Sequence, residues 1–423
     1  MADMKKITDF SEFISSENFE KTMMSLYGDF EGQAERYAAL FATHNGRFPN
    51  CGGGYFYSSP GRIEVIGNHT DHNHGKVVAA AITVDTLAFV TPSDDEFVVI
   101  CSAGYAPIKI NLNCLETLDS EKGTSIALVK GVAKYFLDSG YRVGGFLAST
   151  TSDVFKGAGV SSSAAFELLV AEIFNDIYND GSITAIKKAI AAQFAENVFF
   201  GKPCGLMDQS AIALGGVSMI DFKDVKNPEV VNMVWPFREV DIVITNTGGD
   251  HADLTYAYAA IRTEMEEIAK FFGERTLREV EYSKFINSVA ELRQFGGRAV
   301  LRAAHFFDEN QRVDRAVAAI TYNNADGFFK AVKESGDSSF KYLQNCFVEG
   351  DKNQNIPVAL MLSERQEGVK AARVHGGGFA GTVIAYVEKS CTYQYIEKMK
   401  SVFGGENVFK LNIRESGSCR VEV

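Results

Sequence analysis

A glycine- and serine-rich stretch that runs directly into a long apolar segment is the feature that most restricts how this chain folds. Residues 157–165 read GAGVSSSAA, and the apolar segment continues to residue 178. Glycines allow close approach of the backbone, and a helix N-terminus offers unpaired N–H groups with partial positive charge. The stretch therefore predicts a phosphate-binding loop at the start of a helix. A serine that only caps the helix is the alternative, because serine is a favoured N-cap residue.

Strand-like and helix-like segments alternate along the chain. Residues 125–140 are amphipathic and end at a glycine, as helices often do, whereas 240–248 form a short apolar run typical of a buried strand. The 157–165 stretch has neither the G-K-[ST] ending of a P-loop nor a G-x-G-x-x-G frame, which argues against both of those nucleotide-binding folds. A chain of 423 residues exceeds one comfortable core. We therefore predict two domains of the α/β or α+β class.

The composition argues against several classes of function. A formal net charge of −12, with no block of like charges, disfavours binding to nucleic acid or to an anionic membrane. The seven cysteines form no C-x-x-C pair, and the N-terminus lacks the apolar core of a signal peptide. The apolar run 77–84 is too short to cross a bilayer. We therefore expect a cytoplasmic protein with free thiols.

Two further glycine-rich segments suggest chemistry. GKPCGLMDQS at 201–210 places Asp208 at the start of a helix, where it either meets a substrate hydroxyl or only complements the helix dipole. From this segment alone the helix-dipole interpretation is favoured. HGGGFAG at 375–381 forms either a flexible hairpin or a wall of bare backbone against a ligand.

The segment PGRIEVIGNHTDHNHG at 60–75 combines an arginine with clustered histidines. We predict a tight Pro-Gly turn before Arg62, whose guanidinium then either clamps a phosphate or forms a surface salt bridge. His69, His72 and His74 lie at i, i+3 and i+5, which matches no established zinc spacing. A tight metal site is therefore the less favoured interpretation of the histidines.

Taken together, these segments resemble the signature motifs of the galactokinases, a branch of the GHMP small-molecule kinases. The 60–75 segment resembles the galactokinase signature, and PCGLMDQ is similar to the catalytic-aspartate segment of that branch. GAGVSSSAAFE resembles the phosphate loop of the wider family, and GGGFAGTV its third motif. The match is collinear over residues 55–390, with little contribution from 275–345, and several motifs in order are far more specific than one.

The resemblance implies an α+β fold of two domains. Residues 1–215 would form an N-terminal domain similar to ribosomal protein S5 domain 2, and residues 216–423 a ferredoxin-like C-terminal domain. ATP and a sugar would bind between them. The implied reaction transfers a phosphoryl group from MgATP to the anomeric C1 hydroxyl of galactose. The implied protein is a monomer or homodimer that binds small molecules, and neither nucleic acid nor membrane.

The resemblance also assigns roles to individual residues. Asp208 would be the base, and Arg62 would lie beside it and stabilise developing charge on the γ-phosphate. Glu196, with Ser163, would hold Mg²⁺ through hard oxygen ligands. The residues that would contact ATP are Gly157, Ala158, Gly159, Val160, Ser161, Ser162 and Ser163. The residues that would contact the sugar are Asn68, His69, Asp71 and Tyr258, with Tyr256 as a nearby alternative to Tyr258.

Asn68 is the main departure from the galactokinase pattern, which usually has glutamate before His-Thr-Asp. An uncharged amide both donates and accepts hydrogen bonds, so a sugar with a carboxylate at C6, such as galacturonate, is an alternative substrate. A non-catalytic sugar and ATP sensor is a further alternative, which the retained Arg62 and Asp208 disfavour. His72 and His74 are expected to be solvated loop residues. Ala380 replaces a common glycine of the third motif.

Overall fold

The protein is described by a computed structural model that covers residues 6–154, 159–248, 255–348, 350–379 and 381–423. The helices are α1 (Phe10–Ile14), α2 (Phe19–Tyr27), α3 (Gln33–Arg47), α4 (Ser125–Asp138), α5 (Ser162–Asn179), α6 (Ala185–Phe194), α7 (Met207–Leu214), α8 (Thr255–Phe271), α9 (Tyr282–Asn287), α10 (Val289–Leu292), α11 (Gly297–Thr321), α12 (Ala325–Ser338), α13 (Asn355–Glu364) and α14 (Thr392–Phe403). Two π-helical segments, Ala195–Phe200 and Ser339–Leu343, continue α6 and α12.

The strands are β1 (Tyr55–Ile66), β2 (Lys76–Pro92), β3 (Phe97–Ser102), β4 (Ile108–Asn111), β5 (Phe146–Ser152), β6 (Val217–Asp221), β7 (Glu229–Met233), β8 (Val240–Asn246), β9 (Val369–His375), β10 (Thr382–Glu388), β11 (Val408–Leu411) and β12 (Cys419–Arg420). In the described residues they form two sheets. The first runs β12-β1-β2-β5-β3-β4, with β6 beside β2 and β7 beside β6, and the second runs β11-β8-β10-β9. Apart from the parallel pair β3 and β5, the recorded strand pairs are antiparallel.

Strand β1 carries the arginine-containing segment into the interior. All twelve of its residues are buried, and it pairs with β2 along its length. The predicted tight turn at Pro60-Gly61 is wrong, because the strand continues through these residues with a register shift between them. A proline that lacks an N–H is tolerated at such an irregularity, where the hydrogen-bond ladder is already interrupted. Arg62 is therefore displayed from a strand rather than from a loop.

The chain changes from the first sheet to the second between Met233 and Val240. Strand β6 belongs to the first sheet because it pairs with β2 from Lys76↔Asp221 to Ala80↔Val217. The predicted division after residue 215 therefore does not coincide with the change of sheet. The C-terminal strand β12 also returns to the first sheet and pairs with β1. Among the described residues, no helix is both long and apolar enough to cross a membrane.

Candidate active site

Arg62 on β1 and Asp208 in the first turn of α7 face each other across the junction of these two elements. Arg62 Nε donates to Asp208 Oδ1 at 2.7 Å, and Nη2 donates to Oδ2 at 2.5 Å. The side chain of Arg62 is 6% exposed, whereas that of Asp208 is 32% exposed. A bidentate contact of this kind fixes the orientation of both groups. Asp208 is thereby oriented while one side of it stays open to a ligand, and the surface-salt-bridge interpretation of Arg62 is wrong.

The surroundings of Asp208 keep its carboxyl ionised. Burial raises its pKa, but the positive charge of Arg62 and hydrogen bonds from Arg62 and Ser161 outweigh burial and hold the pKa below its usual value. An ionised carboxylate accepts hydrogen bonds and cannot donate them. Asp208 is therefore ready to accept a proton, or a hydrogen bond, from a hydroxyl group.

Ser161 joins Asp208 instead of capping the following helix. It occupies the N-cap position of α5, but its hydroxyl donates to Asp208 Oδ2 and makes no capping bond. Its backbone is left-handed, with φ of 64°. The interpretation of Ser161 as only a cap is therefore wrong. Ser162 and Ser163 follow in the first turn of α5 and are half-buried, beside a helix end that favours anions.

The described part of the predicted phosphate loop contacts Arg62. Gly159 O accepts from Arg62 Nη1 at 2.5 Å, and Val160 O accepts from the Arg62 backbone N–H at 3.2 Å. Gly159 has φ of 68°, and a Cβ there would overlap Thr382 Oγ1 on β10. Only glycine meets both demands without strain. Gly157 and Ala158 lie outside the described residues.

The described glycines of the segment 375–381 lie between the end of β9 at His375 and the start of β10 at Thr382. A Cβ at Gly377 would overlap the ring of Tyr258, and one at Gly378 would overlap the Asn345 carbonyl oxygen. Tyr258 also donates from its hydroxyl to Gly378 O at 3.0 Å. These glycines are therefore packed against other parts of the protein, which neither interpretation from the sequence anticipated. Ala380 lies outside the described residues.

The side-chain oxygen atoms of Glu196 and Ser163 lie close together beside the first turn of α5. Glu196 lies in the π-helical segment Ala195–Phe200, and Ser163 Oγ is 3.3 Å from Glu196 Oε1. Gln209 Nε2 holds the other oxygen, Oε2, at 2.9 Å. No group of three His, Cys, Asp or Glu residues suited to a metal occurs within the described ranges. Mg²⁺ is usually held by one or two carboxylates together with substrate phosphates and water, and the Ser163–Glu196 pair fits that mode.

Three of the predicted sugar-binding residues contact glycine-rich segments of the chain. His69 and Tyr258 contact the 375–381 segment, and Asp71 contacts the 201–210 segment. His69 Nε2 lies 3.0 Å from Gly377 O, the residue on which the Tyr258 ring packs. The carboxylate of Asp71 lies against Gly205, where a Cβ would overlap Asp71 Oδ2. Burial and then the neighbouring His72 lower the pKa of His69 to about 3. His69 is therefore a neutral imidazole, which both donates and accepts hydrogen bonds.

The residues beside these three differ in how far they are buried. The ring of His72 stacks on His69 with 5.9 Å between centroids and lies 3.9 Å from Asp71. The side chain of His72 nevertheless keeps 21% of its surface exposed, so the expectation that it is solvated stays a prediction. His74 is partly buried in a left-handed turn, with φ of 60°. Tyr256 is 77% exposed, so Tyr258 is the tyrosine that packs at the site.

The amide of Asn68 is fully buried, and protein groups use all of its hydrogen-bonding capacity. Its Nδ2 donates to the Glu64 carboxylate at 3.1 Å and to Gly376 O at 2.7 Å. Its Oδ1 accepts from Asn345 Nδ2 at 2.8 Å and from Ser339 Oγ at 3.2 Å. Asn68 therefore joins the histidine segment to the glycine turn, to the first residue of the π-helical segment Ser339–Leu343 and to Asn345 beyond it.

Sequence reasoning missed the residues that hold the histidine segment in place. Glu309 Oε1 accepts the backbone N–H groups of Gly67 and Asn68 at 3.1 and 3.2 Å. His305 Nε2 lies 2.9 Å from Asn68 O, and Arg312 Nε donates to Glu309 Oε2 at 2.6 Å. His305, Glu309 and Arg312 recur at i, i+4 and i+7 along α11 and are buried. That polar stripe at helical spacing was the available signal, in a region that contributed little to the motif match.

Glu64 and Arg373 form a second support that was not predicted. Arg373 on β9 is fully buried and its guanidinium contacts the Glu64 carboxylate on β1, across the two sheets. The Glu64 backbone N–H donates to His375 Nε2 at 2.9 Å. Burial, followed by the charge of Arg62, holds the pKa of His375 well below its usual value. These contacts join the strand of Arg62 to the glycine turn.

Comparison with protein families gives two matches. The galactokinase galactose-binding signature matches residues 40–92, and the N-terminal domain of GHMP kinases matches residues 127–216. Galactokinase of Clostridium tetani is 33% identical over 344 residues, which cover 79% of this chain and 84% of that protein. The chain is a member of the galactokinase family. A second member, galactokinase of Pyrococcus furiosus, is 30% identical over 78% of this chain and 88% of its own length.

Solved structures agree with this membership. Lactococcus lactis galactokinase complexed with galactose superposes with a TM-score of 0.79 at 25% identity, over 90% of this chain and 99% of that one. Mevalonate kinase of Methanococcus jannaschii has the same fold, with a TM-score of 0.61 at 14% identity over 86% of this chain and 99% of its own. The predicted two-domain α+β GHMP kinase fold is confirmed for this member of the galactokinase family.

Proposed function

We propose that this protein is a galactokinase that transfers the γ-phosphoryl group of ATP to the anomeric C1 hydroxyl of galactose. The observation that carries the proposal is the Arg62–Asp208 pair, with Ser161 on the same carboxylate, at the N-terminus of α5. An ionised acid, a fixed cation and a helix end suited to phosphate are the parts that phosphoryl transfer requires. Membership of the galactokinase family supports the choice of sugar.

In the proposed mechanism, Asp208 accepts or orients the proton of the C1 hydroxyl, since its carboxylate is ionised and open on one side. Arg62 keeps that carboxylate in place and offers positive charge toward the transferred group. Positioning and electrostatics supply most of the rate enhancement in such reactions. Little covalent chemistry is asked of the protein.

The nucleotide would lie along the 157–163 loop, with its phosphates at the first turn of α5. Ser163 and Glu196 would hold Mg²⁺, which neutralises charge on the phosphates when it is bound. Ser161 already donates to Asp208, so Ser162 and Ser163, the latter beside Glu196, are the hydroxyls that we assign to these partners. ATP and Mg²⁺ are accordingly the proposed cofactors.

The sugar would lie among His69, Asp71 and Tyr258, whose polar atoms suit hydroxyl groups. We assign Asn68 to sugar recognition through the position of the histidine segment, because its own amide is saturated by protein partners. The seven cysteines are unpaired, which suits a reducing cytoplasm. Action as a monomer or homodimer there is part of the proposal.

A sugar-panel assay tests the proposal. The protein with MgATP is offered galactose, glucose, mannose and galacturonate, ADP release is measured, and the product is identified as a 1-phosphate by ³¹P NMR. We expect turnover of galactose, lowered by a factor of about 10² to 10⁴ in Asp208→Asn and unaffected in Asp138→Asn, an exposed carboxylate paired with Lys134. Turnover of galacturonate alone would instead establish the C6-acid alternative. No turnover with any sugar of galacto configuration would refute the proposal.

A further inference from the structure

Lys202 is a cation at the candidate metal position that no part of the proposed mechanism uses. It follows Gly201, which ends the π-helical segment Ala195–Phe200 in a left-handed conformation, with φ of 84°. The Lys202 backbone N–H donates to Glu196 O at 3.1 Å. Its Nζ lies 3.2 Å from Glu196 Oε1. The backbone of Lys202 is therefore anchored beside the carboxylate that its side chain contacts.

The ammonium group contacts the same oxygen that Ser163 contacts. Ser163 Oγ is 3.3 Å from Glu196 Oε1, while Gln209 holds Oε2. Glu196 is 4% exposed, whereas the side chain of Lys202 is 60% exposed. A buried carboxylate is thus balanced by a cation that reaches it from solvent. A divalent cation arriving at Oε1 would repel the ammonium, and the flexible lysine stem lets the ammonium leave.

The positive charge of Lys202 reaches other groups of the site. Its charge acts on both the Asp208 carboxyl and the Tyr258 hydroxyl. Any ligand that spans the space between Ser163 and Asp208 therefore passes within the field of Lys202. Lysine binds phosphate as a compact point charge, and phosphate is the anionic group expected at the N-terminus of α5.

We propose that Lys202 is a nucleotide-phosphate ligand. Its ammonium group pairs with Glu196 in the free protein and moves to contact the polyphosphate of ATP when the nucleotide binds. The proposal rests on the proposed function, since it takes ATP as the ligand. A role confined to the ion pair with Glu196 is the competing explanation. Since the ammonium would then only compete with Mg²⁺ for Glu196 Oε1, that explanation predicts unchanged or tighter binding of MgATP when Lys202 is removed.

Nucleotide affinity without sugar separates the two explanations. The Kd of ATP is measured by calorimetry in EDTA and again in excess Mg²⁺, for the native protein, Lys202→Met and Lys202→Arg. Lys122→Met is the matched control, because the Lys122 stem passes Gly201 but its Nζ pairs with exposed Asp119 at 2.7 Å. Equal melting temperatures across the set exclude a folding defect.

We expect Lys202→Met to weaken ATP binding in EDTA about tenfold, which is the typical effect of losing a charge-assisted hydrogen bond. ATP binding in excess Mg²⁺ should also be weaker than in the native protein. Lys202→Arg restores most of the affinity, and Lys122→Met binds as the native protein does. Unchanged affinity in Lys202→Met, or tighter binding in Mg²⁺ alone, would overturn the proposal. Native protein that binds ATP but phosphorylates no sugar would refute the proposed function and leave this inference standing. Native protein that binds no ATP refutes both.

Discussion

Arg62 and Asp208 are 146 residues apart in the sequence and form two hydrogen bonds, the shorter at 2.5 Å. The same arginine donates to Gly159 O, and the same aspartate accepts from Ser161. One ion pair thus joins strand β1, the predicted phosphate loop and helix α7. Removing either partner leaves a charged group partly buried and unpaired, and each removal therefore has a distinct consequence.

Asp208→Asn is expected to lower kcat by a factor of about 10² to 10⁴, the usual contribution of a positioned general base. The amide keeps the shape of the carboxylate but cannot accept a proton. Steady-state kinetics with galactose, together with sugar binding by calorimetry, measure this effect. Galactose affinity should change little. A kcat within tenfold of the native value would remove Asp208 from the chemical step.

Arg62→Met is expected to move the acid limb of the pH–rate profile to higher pH. Burial raises the pKa of Asp208, and Arg62 is the main opposing influence, so the carboxyl becomes harder to ionise without it. Arg62→Lys keeps the charge but loses the bidentate contact. The acid limb of its pH–rate profile should lie between those of the native protein and Arg62→Met. Measuring kcat/KM from pH 4 to pH 9 tests the order. Coincident acid limbs in all three proteins would contradict it.

Asn68→Glu is expected to destabilise the fold rather than simply exchange one substrate for another. The new carboxylate would lie within reach of the Glu64 carboxylate in a fully buried position and would displace a donor to Gly376 O. The cost in unfolding free energy is about 3 kcal/mol. Thermal denaturation measures it, with the exposed Asn113→Glu as control. A stable variant with improved turnover of galactose would show instead that residue 68 contacts the sugar.

Glu309→Gln is expected to lower the free energy of unfolding at pH 7 by about 3 to 5 kcal/mol, since it leaves Arg312 buried without its partner. Burial raises the pKa of Glu309, but Arg312, His305 and Arg373 together lower it to about 2. The stability that ionised Glu309 contributes is therefore present above its unfolded pKa, near 4.3, and is lost as the pH falls toward 2.

Urea denaturation at several pH values tests this dependence. The difference between native protein and Glu309→Gln should stay constant down to about pH 4.5 and shrink below it. Glu334→Gln provides a matched control, because Glu334 on α12 pairs at the surface with Arg315, which lies on α11 as Arg312 does. Its effect should stay below about 1 kcal/mol. A difference that grows on acidification would exclude the assigned role of Glu309.

Prediction from the sequence succeeded where a short segment contains a recognisable motif. The motifs identified the segments of Arg62, Asp208 and Glu196, and the fold brings them together beside the serine loop. The individual roles of these residues stay predictions. The turn predicted at Pro60-Gly61 was wrong, because pairing with β2 over twelve residues overrode a local turn signal.

The remainder could not be predicted because it depends on contacts between distant segments. The alternative of a serine that only caps the helix was wrong, because the hydroxyl of Ser161 at the N-cap position donates to Asp208, which is 47 residues away in sequence. Asn68 was expected to face the sugar directly, and its partners Asn345 and Ser339 lie in a part of the chain without a recognisable motif. Only the three-dimensional arrangement reveals that its amide is fully occupied.

The sequence by itself determined the family, the fold class and the positions of the charged and hydroxyl groups that we propose for phosphoryl transfer, because glycine spacing and helix starts are local properties. The tertiary structure alone decided which of these groups touch, and how the segment of Asn68 is held by Glu309 and by the Glu64–Arg373 pair. The physical reason is burial. A charged or amide group inside the protein must find partners, and the fold determines which distant residues are near enough to supply them.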